Sequence, residues 1–258
     1  MPRFYIPDLP SQPQTITLPA NEAAHACKVL RVQPGNEVNL FNGRGLRARA
    51  RIVNVERKRV DLEVLQIEET RPPSVKITLL QAVTKPKSMD WIVEKATELG
   101  VHRIQPLLTE NTVARLDANE SLRKRTKWQR TAIEALKQCG GDWLPHIESP
   151  QDLSAIEQCT ADLQCQILAS LSPQAGELRS RLRDLNVLAQ APSTLSVGVW
   201  IGPEGDFTKH ETGMIVSAGA VPITLGKNVL RSETAAICAV SLVRYEMQLL
   251  VSRDGGTV

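Results

Sequence analysis

Glu204 stands between Pro203 and Gly205 in the run Ile201-Gly-Pro-Glu-Gly205, straight after the apolar stretch Ser196–Ile201. A turn does not require an acid there, and a phosphate-binding loop would exclude one. A carboxylate presented this way can take a proton or favour a nearby cation. The plain alternative is a hydrogen bond to backbone N–H groups that locks the loop. Further along, Leu225-Gly226 leads into Leu230-Arg-Ser-Glu-Thr-Ala235. Here Arg231 and Glu233 flank Ser232, a costly pair of charges to hold near a core for packing alone. They serve either chemistry or an ion pair that fixes the loop. Neither run is G-x-G-x-x-G or a P-loop, which weighs against dinucleotide and nucleoside triphosphate chemistry.

These loops need elements to hold them. Up to about residue 70 the chain reads as β-rich, with strands at Glu37–Phe41, Leu46–Val55 and Lys58–Ile67, a hairpin signal at Asn42-Gly43 and a short helix over Ala20–Leu30. Pro72-Pro73 stops both helix and ladder, so a domain boundary is placed there, giving domains 1–72 and 73–258. Beyond it strand and helix alternate. Strands are predicted at Val75–Val83, Val101–Leu108, Gln166–Ser170, Ser196–Ile201 and Pro222–Gly226. Helices are predicted from a Ser88 cap to Gly100, over Glu120–Cys139, from a capping box at Thr208 and Glu211 to about Gly219, and from Ser232 to about Leu250. Such alternation predicts an α/β domain with a mostly parallel sheet, where two glycine-hinged loops after neighbouring strands make a ligand crevice.

Composition narrows the partners. Hydrophobic residues make up 42% and charged residues 23%, which fits a folded globular chain rather than a disordered one. The five cysteines are scattered without a C-x-x-C pair and the four histidines lack ligand spacing, so reduced thiols in a cytoplasm are expected and no metal is. No apolar run reaches membrane-spanning length. The net charge of +3 says little, so its distribution matters. Arg47, Arg49 and Arg51 alternate with small apolar residues and share one strand face. Seven cations and a single acid lie between Arg44 and Arg59. Three arginines in line repel one another, and a phosphate backbone would relieve that. A second cluster, Arg123–Arg130, holds five cations in eight residues. A shared polyanionic partner is expected, against the plainer reading of solvated faces.

Taken together, Ile201-Gly-Pro-Glu-Gly205, Leu225-Gly226 and Leu230–Ala235 resemble the RsmE family of 16S ribosomal RNA uridine-N3 methyltransferases, in the SPOUT superfamily. Met89-Asp90 with Lys95–Val101, Gln138-Cys-Gly140 with Pro145, and His25 with Val29–Arg31 are similar to further family blocks, so the resemblance spans the chain. It implies a trefoil-knotted α/β domain and a PUA-like β-barrel that binds RNA. It implies S-adenosylmethionine held by Ile201, Gly202, Pro203, Gly205, Leu225, Gly226, Leu230, Ser232, Glu233 and Thr234, with Glu204 and Arg231 as catalytic candidates. It implies a homodimer acting on 16S ribosomal RNA, within the small subunit. The RNA-facing candidates are Arg3, Arg31, Arg47, Arg49, Arg51, Lys85, Lys87 and Arg115. The last helix, apolar over most of its circumference, suits a knot or dimer interface.

The chain departs from the family pattern at Asp206, where glycine is usual, and at Asn111 and Gly141, where arginines are usual. The last two remove cations expected near RNA, for which Arg115 and Lys137 are candidate substitutes. Three alternatives stay open: a SPOUT enzyme acting on another base or a ribose 2′-hydroxyl, a non-catalytic RNA-binding protein, and a nucleotide-dependent α/β enzyme.

Overall fold

The computed structural model describes residues 1–57, 59–112, 116–184 and 194–254. Two compact units form: Met1–Pro72 with Ile133–Leu144, and Pro73–Ala132 with Pro145–Val258.

The first unit contains β1 (Arg3–Tyr5), β2 (Thr15–Thr17), α1 (Ala20–His25), β3 (Glu37–Phe41), β4 (Leu46–Glu56) and β5 (Arg59–Glu69). Among the described residues they make a five-stranded sheet in the order β1-β3-β4-β5-β2, antiparallel except for β1 against β3. Period-two alternation buries Ala48, Ala50 and Ile52 of β4 and leaves Arg47, Arg49 and Arg51 exposed. The buried side packs on Phe4, Val38, Leu40, Val60 and Leu62. A four-residue loop joins β3 to β4. Asn42 Oδ1 accepts from the N–H groups of Arg44 (2.7 Å) and Leu46 (3.0 Å), so the loop carries its own bracing. Gly45 has φ +92, and a Cβ there would sit 2.4 Å from the Trp143 ring, so only glycine lets the indole close over this loop. The predicted helix over 20–30 is an α-helical turn and a π-helical turn (Ala26–Leu30), ended by Arg31 at φ +50.

The arginine face differs from its prediction in one respect. Arg47 donates to Glu68 (2.6 Å) and reaches Asp142 (3.5 Å), Arg49 donates to Glu37 (2.8 Å), and Arg51 lies 3.8 Å from Glu37. Carboxylates on β3, β5 and the 140–144 segment already relieve the repulsion that was assigned to a phosphate backbone. Local sequence counted Glu56 as the single acid because these partners come from other strands. Lys137, the proposed substitute cation, is half-buried and paired with Glu22 (2.6 Å) and Glu134 (2.8 Å). A Cβ on Gly141 would fall 2.6 Å from Leu136 Cδ1, so a larger side chain there requires Leu136 to shift.

The second unit runs β6 (Val75–Ala82), α2 (Pro86–Glu98), β7 (Arg103–Leu108), α3 (Ala118–Cys139), β8 (His146–Ile147), β9 (Gln151–Asp152), α4 (Ile156–Thr160), β10 (Cys165–Ala169), α5 (Leu178–Asp184), β11 (Leu195–Ile201), α6 (Lys209–Ser217), β12 (Ala220–Ile223) and α7 (Ser232–Asp254), with the end of α3 counted in the first unit. Its sheet has the order β12-β10-β11-β6-β7-β8, with β9 also on β7, and every pairing is parallel. From Ile77 to Ala82 β6 is buried on both faces, the polar Thr78 and Gln81 included. The α2 helix begins at Pro86 with Lys85 as its cap, not at Ser88, because proline at the first position loses no hydrogen bond and has its φ preset. The last strand is shorter than predicted and stops at Ile223, before Gly226 at φ +115. The Thr208–Glu211 capping box is present in full. All five cysteines are free thiols.

The acids of the first unit set an acid limit to its stability. The hydrogen bond and charge of Arg49 hold the Glu37 carboxyl below its ordinary value, and hydrogen bonds from Thr17 and then Arg59 do the same for Asp61. A depressed carboxyl stabilises fully above the unfolded value of about 4 and loses that contribution as pH falls through the lower native value. Glu22 acts in the opposite sense, because burial raises it more than Lys137 lowers it. The urea midpoint should therefore fall steeply once pH drops below about 4, and Glu37→Gln should flatten that fall.

Candidate functional site

Parallel strands deliver their carboxyl ends to one edge, so the loops after β6, β7, β10, β11 and β12 gather there. A cleft of about 90 Å³ opens at this edge. Ile201, Gly202, Pro203, Glu204 and Asp206 line it from the loop after β11. Leu225, Gly226, Asn228, Val229 and Leu230 line it from the loop after β12, and Ser232 and Ala235 from the start of α7. The third wall, Ala169, Ser170 and Leu171 after β10, was not singled out from the sequence. The strand before it was legible, but its place between β11 and β12 depends on strand order.

Three bonds hold the walls together. Ser232 Oγ donates to the Gly202 carbonyl (2.6 Å) and accepts from Gln81 Nε2 (3.0 Å), which also donates to the Ala82 carbonyl. Ser232 and Gln81 are buried, and Gln81 Oε1 has no partner among the described residues. The sequence placed Ser232 as a cap; the structure gives its hydroxyl the task of joining β6, the 202–206 loop and α7.

The loop after β11 is a turn closed by Asp206 N–H donating to the Pro203 carbonyl (3.0 Å), which puts Glu204 at its exposed corner. The backbone N–H of Lys85, at the cap of α2, donates to Glu204 Oε1 at 3.4 Å. Gly202 is needed where the turn folds back on itself, since a Cβ would meet Asp206 Oδ1 at 2.7 Å. Asp206 adopts φ +59, a left-handed conformation that costs a residue with a Cβ about 1 kcal/mol. Asn111, from the loop after β7, holds it there: its Nδ2 donates to the carbonyls of Gly205 (3.2 Å) and Asp206 (2.9 Å). The same two loops are joined again by Glu211, a buried carboxylate accepting from Glu110 N–H and Thr208 N–H, both at 2.8 Å. Two of the three departures from the family pattern, Asp206 and Asn111, thus meet each other.

The remaining candidates are placed as follows. Gly205, Glu233 and Thr234 do not line the cleft. Arg231 does not line it either, but is exposed at its border next to Leu230 and Ser232. Among the described residues Arg231 and Glu233 form no ion pair with each other or with another group, which removes the loop-fixing reading of that pair. Arg31, Lys85 and Lys87 are exposed. Arg3 is mostly covered, stacked 4.5 Å over the Phe41 ring and bonded to Asp142 and the carbonyls of Leu136 and Gly141, so its donors tie the first unit together. Arg115 lies outside the described residues. Among the described residues no group of three or more histidine, cysteine or acidic side chains could hold a metal, and no helix is long and apolar enough to cross a membrane.

Replacing Asn111 by alanine should cost about 1–2 kcal/mol of stability for two lost hydrogen bonds. Adding Asp206→Gly should return part of it by removing the left-handed strain. Urea unfolding of the two single variants and the double variant measures both terms and their coupling.

Comparison with known proteins sets this geometry among relatives. A family profile described as an RNA methyltransferase domain matches residues 71–244, and one described as an RNA methyltransferase PUA domain matches residues 18–65. The ribosomal RNA small subunit methyltransferase E of Bacillus subtilis is 27% identical over 92% of each chain. A methyltransferase of Legionella pneumophila, solved with the cofactor SAM bound, superposes with a TM-score of 0.85 at 30% identity, over 95% of this chain and 97% of that one. The ribosomal RNA small subunit methyltransferase E of Neisseria gonorrhoeae, bound to S-adenosylmethionine, gives 0.83 at 30% identity, over 95% and 98%.

Proposed function

The chain belongs to the ribosomal RNA small subunit methyltransferase E family, and from that premise we propose that it transfers a methyl group from S-adenosylmethionine to N3 of a uridine in 16S ribosomal RNA, within the small ribosomal subunit. The observation that carries this reading is the cleft at the carboxyl edge, built from the 202–206 and 225–230 loops with Glu204 and Asp206 beside apolar Ile201, Leu225 and Leu230.

The cleft suits that cofactor chemically. Apolar side chains would flank an adenine, the backbone groups of two glycine-hinged loops would offer hydrogen bonds to polar edges, and two carboxylates would favour a cation. Ile201, Gly202, Pro203, Leu225, Gly226 and Leu230 would hold it, with Ser232, Gly205, Glu233 and Thr234 fixing the loops around it. When bound, it supplies an electrophilic methyl group on a sulfonium.

Uracil N3 carries a proton and is a poor nucleophile until that proton leaves. The Glu204 carboxylate, at an exposed turn corner, takes the proton from N3, and the unpaired Arg231 guanidinium stabilises the charge left on the uracil oxygens. The base has to leave its stack to enter the cleft. Arg31, Arg51, Lys85 and Lys87 are exposed cations suited to the phosphates of the surrounding RNA, while the exposed Arg47 and Arg49 are paired with Glu68 and Glu37. A second copy of the chain is supported by large apolar side chains left exposed: Leu242 and Tyr245 on α7, and Val229 and Leu171 at the cleft. The domains are PUA-like over 1–72 and catalytic over 73–258, and the site of action is the cytoplasm, where its rRNA is.

Labelled S-adenosylmethionine, offered with naked 16S rRNA and with small subunits lacking the modification, should yield 3-methyluridine by nucleoside mass spectrometry. A different methylated nucleoside would overturn the uracil assignment. Glu204→Gln and Arg231→Ala should each lower kcat by about a hundredfold or more while cofactor binding, read by calorimetry, stays close to wild type. A rise in KM alone with kcat intact would remove both from the chemistry.

A further inference from the structure

The outer face of the first unit holds a pocket of about 330 Å³. Its structure follows from strand register. Across β3, β4 and β5 the residues of the arginine face form three rows: Glu37, Arg51 and Glu63; then Asn39, Arg49 and Gln66; then Phe41, buried under Arg3, with Arg47 and Glu68. Acids occupy the outer rows and amides the middle one. The pocket lies over the middle row, with Arg47, Glu68 and Asp142 beside it.

A phosphate site is a poor description of this pocket. Arg47 is already taken by Glu68 and Asp142, and Arg49 by Glu37. Arg3, Arg47 and Arg49 line the pocket beside Glu68 and Asp142, and each of these guanidinium groups is already bonded to a carboxylate, so little positive charge is left for an anion. What the pocket presents is a mixture of donors and acceptors. The Asn39 amide makes no side-chain hydrogen bond among the described residues, so it offers both kinds of group. Gln66 uses Nε2 on Glu68 Oε1 (2.9 Å) and keeps its Oε1. The Arg47 guanidinium is held by Nε and Nη2 on Glu68 at 3.0 and 2.6 Å, so its planar face is what it has left to offer. A neutral, planar ligand with alternating donors and acceptors along one edge matches this set, and a nucleobase is such a ligand.

We propose that this pocket takes one unstacked base of the RNA, read by Asn39 and Gln66 and stacked on Arg47, in addition to the base that is methylated. The inference rests on the reading of the substrate as RNA. Bases are read by amide side chains and stacked on guanidinium planes where RNA is single-stranded, and such contacts release no counterions.

The test is filter binding of 16S rRNA transcript across a salt series, for wild type, Asn39→Ala, Gln66→Ala and Arg51→Ala. Asn39→Ala and Gln66→Ala should each weaken binding about tenfold with the salt slope unchanged. Arg51→Ala should lower the slope, as loss of a phosphate contact does. Thermal melting and calorimetric cofactor binding should stay at wild-type values in all three, which separates a lost contact from a lost fold. Wild-type affinity in both amide variants, or a loss that follows the salt slope, would overturn the base pocket while leaving methylation intact. Wild-type protein that neither binds nor methylates rRNA would overturn the functional reading itself.

Discussion

The bond on which the site depends is the one between the Ser232 hydroxyl and the Gly202 carbonyl, 2.6 Å long and buried. A parallel sheet must turn its chain away at every carboxyl end, and each turn exposes backbone groups that need partners. Here one hydroxyl satisfies the first carbonyl of the loop after β11 and at the same time receives the amide of Gln81 from the neighbouring strand. Three segments far apart in sequence are fixed by one side chain of minimal size. Unpaired polar groups are expensive at such depth, so the loops have few ways to shift without breaking all three contacts.

The same economy of charge governs the rest of the molecule. Glu211 spends both carboxylate oxygens on backbone N–H groups of two loops, and Asn111 spends one amide on two carbonyls. In the first unit nearly every arginine of β4 is met by an acid from another strand. Among the described residues, the exposed Arg231 guanidinium at the border of the cleft and the half-buried Asn39 amide on a sheet face have no side-chain hydrogen bond or ion pair. Charges held in pairs shape the scaffold, and the unpaired ones are available to a partner.

How much of this could be read from the sequence follows from the range of each interaction. The alternation of Arg47, Ala48, Arg49 and Ala50 was legible because one strand carries it, and the Thr208–Glu211 capping box because its two members lie three residues apart. The partners of those arginines were not legible, since Glu37, Glu68 and Asp142 meet them only through register and tertiary placement. Ser88 looked like a cap because serine suits that role, but Pro86 two residues earlier suits the first helical position better. The lining of the cleft was found where glycines and charges marked it, at Gly202–Gly205 and Leu225–Leu230. It was missed at Ala169–Leu171, where unremarkable residues enter only because β10 lies between β11 and β12. Asn111 was noted for the cation it lacked, while its two hydrogen bonds to the turn required coordinates.

The strand order also bears on how the chain is made. All strands of the first sheet lie within the first 69 residues, so its ladders can close early as the polypeptide leaves the ribosome. In the second sheet β6 pairs with β7 close by in sequence, but its other neighbour is β11, which ends at Ile201. Until that residue has emerged, β6 has one open edge and apolar faces without cover, the condition under which nascent chains aggregate or recruit chaperones. The long separation also slows closure after release, because loop entropy must be overcome before the pairing stabilises anything. The second unit is therefore completed after the first, once α7 can follow the loop that Ser232 pins.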